Sequence, residues 1–168
     1  MSLTKEQAQT LCDVYLADIQ SEAAITKKVV AAVPADKSAY APSEKCMTAI
    51  KLCNHITGTD VSFLNGVSSG AFVRETMSEP NAATPAEVIK WYDEKLPAAI
   101  ARVKSMSAED LAKEIDFFGF MKMPAVTFLS LNVRHSVHHR GQLSSYLRPM
   151  GAKVPGIYGP SGDSGDSH

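Results

Sequence analysis

His135-Ser136-Val137-His138-His139-Arg140-Gly141-Gln142 lies within a longer stretch, from about Pro124 to Met150, whose apolar positions recur at helical spacing. Phe128, Leu131, His135, His139, Leu143 and Leu147 follow one another at steps of three and four, the pattern of a helix with a broad buried stripe. Reading this stretch as helix decides the fold, because it sets His135 and His139 one turn apart on the same face, both directed inward. His138 diverges from His139 by about 100 degrees around the axis and falls at the rim. Arg140 faces away from His135 and reads as a solvated or salt-bridged side chain, Gly141 as a point of close helix approach, and Gln142 as a polar contact near the rim. Gly151 supplies the stop.

Three more long helices are expected upstream. The first runs from about Thr4 to Val33, carried by Leu11, Val14, Tyr15, Ile19, Ala23 and Val29 and stopped by Pro34. A second follows Tyr40-Ala41-Pro42, with Ser43 as its cap, carries Met47, Ile50, Leu52, His55 and Ile56, is weakened at Gly58, and ends near Gly66. The third has a well-formed start: Thr84 caps, Pro85 takes the first helical position, and Glu87 completes a capping box. It continues through Val88, Trp91, Tyr92, Leu96, Ile100 and Val103, with a kink expected at Pro97. Ser107-Ala108-Glu109-Asp110 opens a short extra turn, and Glu114 to Gly119 reads as an extended arm or lid before the last helix. Four amphipathic helices bury their stripes most economically against one another, so the expected class is all-α, a four-helix bundle. Residues 1–160 are expected to form one helical-bundle domain and 161–168 a flexible tail in which His168 is a mobile terminus.

A bundle brings its second helix beside its fourth, and so His55 toward His135 and His139. Three neutral imidazoles are the ligand set of an open metal site, in which a position is left for water, substrate or a thiol. An isolated histidine on an apolar stripe is more often a satisfied core residue; the pair at helical spacing together with His55 shifts the balance toward metal. Ser136 stands where a zinc-protease helix would need a glutamate as general base, which disfavours peptidase chemistry. Asp60, the nearest acid after His55, is a weak candidate for a base or supporting role, and a solvated face explains it equally well.

Composition narrows the remaining classes. The chain has 168 residues, 17 Lys and Arg against 18 Asp and Glu, and a formal net charge of -1. That balance gives no electrostatic footprint for nucleic acid or an anionic membrane. Nothing approaches the roughly 20 apolar residues of a membrane span, and the N-terminus lacks the order of a secretory signal, so a cytoplasmic location is expected. Cys12, Cys46 and Cys53 are odd in number and lack metal-type spacing; Cys46 and Cys53, on one helical stripe, read as small buried residues.

The residues resemble a known family. His135 followed by His139-Arg140-Gly141-Gln142, with His55 in Leu52-Cys53-Asn54-His55-Ile56, is similar to the signature of the DinB/YfiT-like superfamily. Tyr40-Ala41-Pro42, Leu147-Arg148-Pro149-Met150-Gly151 and Val154-Pro155-Gly156-Ile157-Tyr158-Gly159-Pro160 extend the resemblance over nearly the whole chain. The resemblance implies His55, His135 and His139 as ligands of one divalent metal ion, zinc or nickel, and a homodimer. It also implies a stress-response setting and a metal-dependent transferase that activates a low-molecular-weight thiol for attack on a small electrophile. Its alternatives are a non-enzymatic metal-binding stress-response protein and a metal-dependent hydrolase.

Overall fold

The computed structural model describes residues 3–164. Helix α1 spans Lys5–Ala31, and its start is a capping box in which Thr4 and Gln7 exchange side-chain-to-backbone hydrogen bonds. Pro34, which cannot donate to a helix ladder, follows its end. Helix α2 spans Ala49–Ser69 and is capped by Thr48, later than the expected start at Ser43. The reason is tertiary: the incoming loop supplies carbonyls to the first turn, Tyr40 accepting from Ala49 N at 2.8 Å and Ser38 from Ile50 N at 2.9 Å. Ser43 instead closes a turn with Cys46, so Cys46 is off the helix and half-buried, while Cys53 is fully buried.

Neither glycine interrupts α2. A Cβ at Gly58 would meet Glu79 Cα at 2.8 Å, so the glycine lets the segment after the helix lie against it. A Cβ at Gly66 would strike the Phe72 ring, and the true stop is Gly70, left-handed at φ 74.

Helix α3, Pro85–Lys104, begins with the Thr84, Pro85 and Glu87 arrangement read from sequence and runs on through Pro97. Helix α4, Ala108–Ala112, is capped by Ser107. The expected arm is one strand of a hairpin: β1, Glu114–Phe117, pairs antiparallel with β2, Met121–Pro124, through a left-handed turn at Phe118 and Gly119. Pro124 ends β2, so helix α5 starts later than expected and spans Thr127–Leu147. Gly151, at φ 76, closes the chain after it, with Ala152 N donating to Leu147 O at 2.9 Å.

The packing is that of a four-helix bundle in which α2 lies against α3 and α5, and α1 against α5 and α3, so α1 and α2 are diagonal. Its core is in two parts. Leu16, Ile19, Val61, Leu64, Leu96 and Phe128 belong to one apolar cluster, and Val29, Leu52, Ile56, Val88, Leu143 and Leu147 to the other. Between the two along three of the four long helices stand buried polar residues: Thr26 on α1, Asp60 on α2, and Asn132, Ser136 and Arg140 on α5. No helix among the described residues is long and apolar enough to cross a membrane. Of the expected tail, 161–164 are held by Asp163, which accepts from Arg148 Nε and Val154 N, each at 3.0 Å. Residues 165–168, His168 included, lie outside the described residues.

Candidate metal centre

The face of α5 that carries His135 and His139 is turned toward α2, and His55 projects from α2 to meet it. One ring nitrogen from each of the three lies within 4.8 Å of the others. Nε2 of His135 and Nε2 of His55 are 3.1 Å apart, and the His55 ring stands edge-on to both partners, its centroid 4.9 Å from that of His135 and 4.7 Å from that of His139. All three rings are half-buried, whereas His138 is exposed, as its angular position on the helix predicts.

This group fits a divalent cation on its own chemistry. Ligating imidazoles must present a lone pair, so they must be neutral. Burial, then the neighbouring His139, His55 and His138, push His135 down to about 3, and burial followed by His139 lowers His55. Nδ1 of His135 is buried with no hydrogen-bond partner among the described residues, so nothing there would stabilise a second ring proton. His139 is oriented by a short relay. Its Nδ1 donates to Gln142 Oε1 at 3.1 Å, which leaves Nε2 with its lone pair, and Gln142 Nε2 donates to the Tyr146 hydroxyl at 3.2 Å. Nitrogens about 2.0 to 2.1 Å from a tetrahedral zinc are roughly 3.3 Å from one another, close to the spacing already present between His55 and His135.

Asp60 is not on a solvated face. It is 3% exposed, and its carboxylate accepts from the Tyr92 hydroxyl at 2.5 Å and from the Ser136 hydroxyl at 2.7 Å. Ser136 thus ties the helix between the two α5 histidines to α2 and α3, a role that its place in the sequence run did not announce. Arg140 is the larger surprise, because it is 1% exposed. Its guanidinium pairs with Glu22 at 2.5 Å, donates to Glu22 O at 3.1 Å and Thr26 Oγ1 at 3.3 Å, and reaches the Tyr158 hydroxyl at 2.6 Å. Of the two sequence alternatives the salt bridge holds and the solvated face does not. Gly141 faces open space, so it is not a point of close helix approach. The deepest stripe of α5 runs through Leu129, Asn132, Ser136, Arg140 and Leu143, beside the stripe that carries the histidines.

Burial pushes the Asp60 carboxyl up to about 6, against the hydrogen bonds of Tyr92 and Ser136 and the charge of Arg140, which pull it down. A folded-state pKa above the unfolded value means that the fold binds this proton more tightly. The resulting stabilisation is complete below about pH 4 and is lost as pH rises through about 6. The stability difference between the parent and Asp60→Asn should therefore shrink from pH 4 to pH 7 by on the order of 3 kcal/mol. Urea unfolding of both proteins at the two pH values measures it; a difference that grows with pH would contradict the sign.

A buried carboxylate, a buried arginine and three clustered histidines inside a helical bundle define a class, the bundle proteins that carry a three-histidine metal-type site between two long helices. The sequence matches the DinB family over residues 3–165, and the chain belongs to that family. It is 30% identical to YjoA of Bacillus subtilis (strain 168) over 131 residues, covering 76% of this chain and 82% of that protein. A second B. subtilis protein, YrdA, is 43% identical over 51 residues, covering 30% of each. The crystal structure of YjoA, a DinB-like protein, superposes with a TM-score of 0.71 at 27% identity over 87% of this chain and 97% of that one. A DinB-like protein from Bacillus cereus ATCC 10987 gives 0.72 at 25% identity over 86% and 95%.

Proposed function

We propose that this protein binds one divalent cation, zinc or nickel, through His55, His135 and His139, and transfers a low-molecular-weight thiol to a small electrophile. The convergence of three imidazoles from two helices carries the reading, and the pattern of the DinB/YfiT-like family supports its chemistry. His55, His135 and His139 would hold the cation with a position open, where it would supply Lewis-acid lowering of a thiol's pKa toward neutrality. The chain's own residues hold the ligand set in place: Gln142 fixes the tautomer of His139, and Ser136, bonded to Asp60, fixes the helix between the two α5 histidines.

Cys12 and Cys53, the two buried cysteines, are poor nucleophiles for this step, since burial pushes Cys53 up to about 12 and Cys12 up to about 11. We also assign a cytoplasmic setting, where such thiols are held reduced, and a homodimeric state.

The test is consumption of thiol and electrophile together. Metal-loaded protein incubated with bacillithiol, mycothiol and simpler thiols against a panel of alkylating electrophiles should accelerate conjugation, and His135→Ala should lose at least about 100-fold, as expected when a group required for nucleophile activation is removed. Turnover of the electrophile with water alone would move the protein to the hydrolases. Tight metal binding with no turnover across the panel would leave a metal-binding protein.

A further inference from the structure

Beside the histidines, and sharing two of them, is a cavity of about 340 Å³. His55 and His135 form part of its wall, and Phe63, Phe72, Phe117 and Leu131 form most of the rest. The rings are fixed against one another: Phe63 stacks on Phe117 with centroids 5.6 Å apart and planes within 8°, and Phe72 meets Phe117 edge-on at 4.9 Å. No Lys, Arg, Asp or Glu among the described residues lines it.

Its hydrogen-bonding side chains are those of Ser62, Thr59, His55 and His135. Ser62 is already committed, accepting from Ser78 N at 2.8 Å and donating to Ser78 O at 3.1 Å. That leaves Thr59, whose hydroxyl is 3.5 Å from Nδ1 of His55, and the two imidazoles. An ionised group placed deeper would lose its hydration with no counter-charge to replace it.

We propose that this cavity binds the uncharged, apolar body of a small ligand, aryl or branched alkyl, with a single polar end directed to Thr59 and the histidines. The assignment of that polar end rests on the metal reading given above, whereas the character of the body rests on the cavity walls alone. At about 30 Å³ for a water-sized group, the space admits roughly a dozen non-hydrogen atoms. The inference narrows the substrate class: the electrophile is neutral and lipophilic, and a charged thiol cofactor approaches the metal from outside the cavity.

The experiment compares 1-naphthylmethanol with 1-naphthoate, matched in shape and differing in charge, by calorimetric titration into the purified protein, both treated with EDTA and loaded with zinc. On the EDTA-treated protein the neutral probe should bind at least 10-fold more tightly than the anion. Leu131→Trp, which fills the cavity, should weaken the neutral probe at least 10-fold. Met77→Trp, at a wall position that is 47% exposed and so tolerant of change, should weaken it several-fold and serves if Leu131→Trp lowers helicity. Equal binding of the two probes, or neutral-probe binding unchanged in a folded variant, overturns the proposal. Zinc uptake without probe binding overturns it while sparing the metal reading; probe binding without zinc uptake supports the cavity and removes the metal.

Discussion

Each of His55→Ala, His135→Ala and His139→Ala is expected to abolish near-stoichiometric binding of zinc or nickel, while His138→Ala retains it. Three ligands from two helices leave no redundancy: with one gone, only two imidazoles are left to hold the ion, and His138 is exposed on another face. The same loss should appear in stability. Metal present at about 100 times its dissociation constant stabilises the fold by about 2.7 kcal/mol, which for a chain of this size raises the melting temperature by roughly 5 to 10 °C. Elemental analysis of the purified variants and thermal melts with and without added metal read both effects. The gain should shrink as pH falls, because protons compete for the same nitrogens. Metal retained by all three variants would remove the site; chelation that melted the helices would contradict a core that stands on its two apolar clusters.

The second large effect is expected from Arg140→Met. Removing one member of a buried ion pair strands the other, and such losses run about 3 to 5 kcal/mol. Glu22 keeps some access to water, with its side chain 17% exposed, which favours the lower end. About 3 kcal/mol corresponds to a fall in melting temperature of roughly 6 to 12 °C. Arg140→Met combined with Glu22→Gln should recover part of it, since the stranded carboxylate is then gone, and the double-mutant cycle measures the coupling. A variant that melts within a degree or two of the parent would show that the pair contributes nothing net.

The parts of this fold that were legible in the sequence are those set by neighbours along the chain. Thr84, Pro85 and Glu87 announce the start of α3 because a capping box is complete within four residues, and Ser107 announces α4 as a cap whose side chain accepts from Asp110 N. His55, His135 and His139 were legible because few residue types bind metal and two of them share a helical face. The start of α2 was not, because Thr48 became the cap only when carbonyls of Ser38 and Tyr40 arrived from the loop. The depth of Arg140 was hidden in another way. Periodicity finds the buried face by its apolar residues, and on α5 the deepest positions include Asn132, Ser136 and Arg140, whose burial depends on partners on α1, α2 and the C-terminal segment. Tyr158 in the motif after α5 was the available clue, since a tyrosine among glycines and prolines asks for a partner for its hydroxyl.

The buried polar layer also imposes an order on the making of the protein. Glu22, Asp60 and Tyr92 lie on the first three long helices, while the one cation that balances the two acids lies on α5 and is closed over by Tyr158. A chain emerging from the ribosome therefore carries both carboxylates long before their counter-charge exists. Until it does, drying that level of the bundle leaves the two carboxylates without a counter-charge, which is unfavourable. Completion is signalled by the arrival of the last helix, and the level that closes last is the one at which the histidines stand.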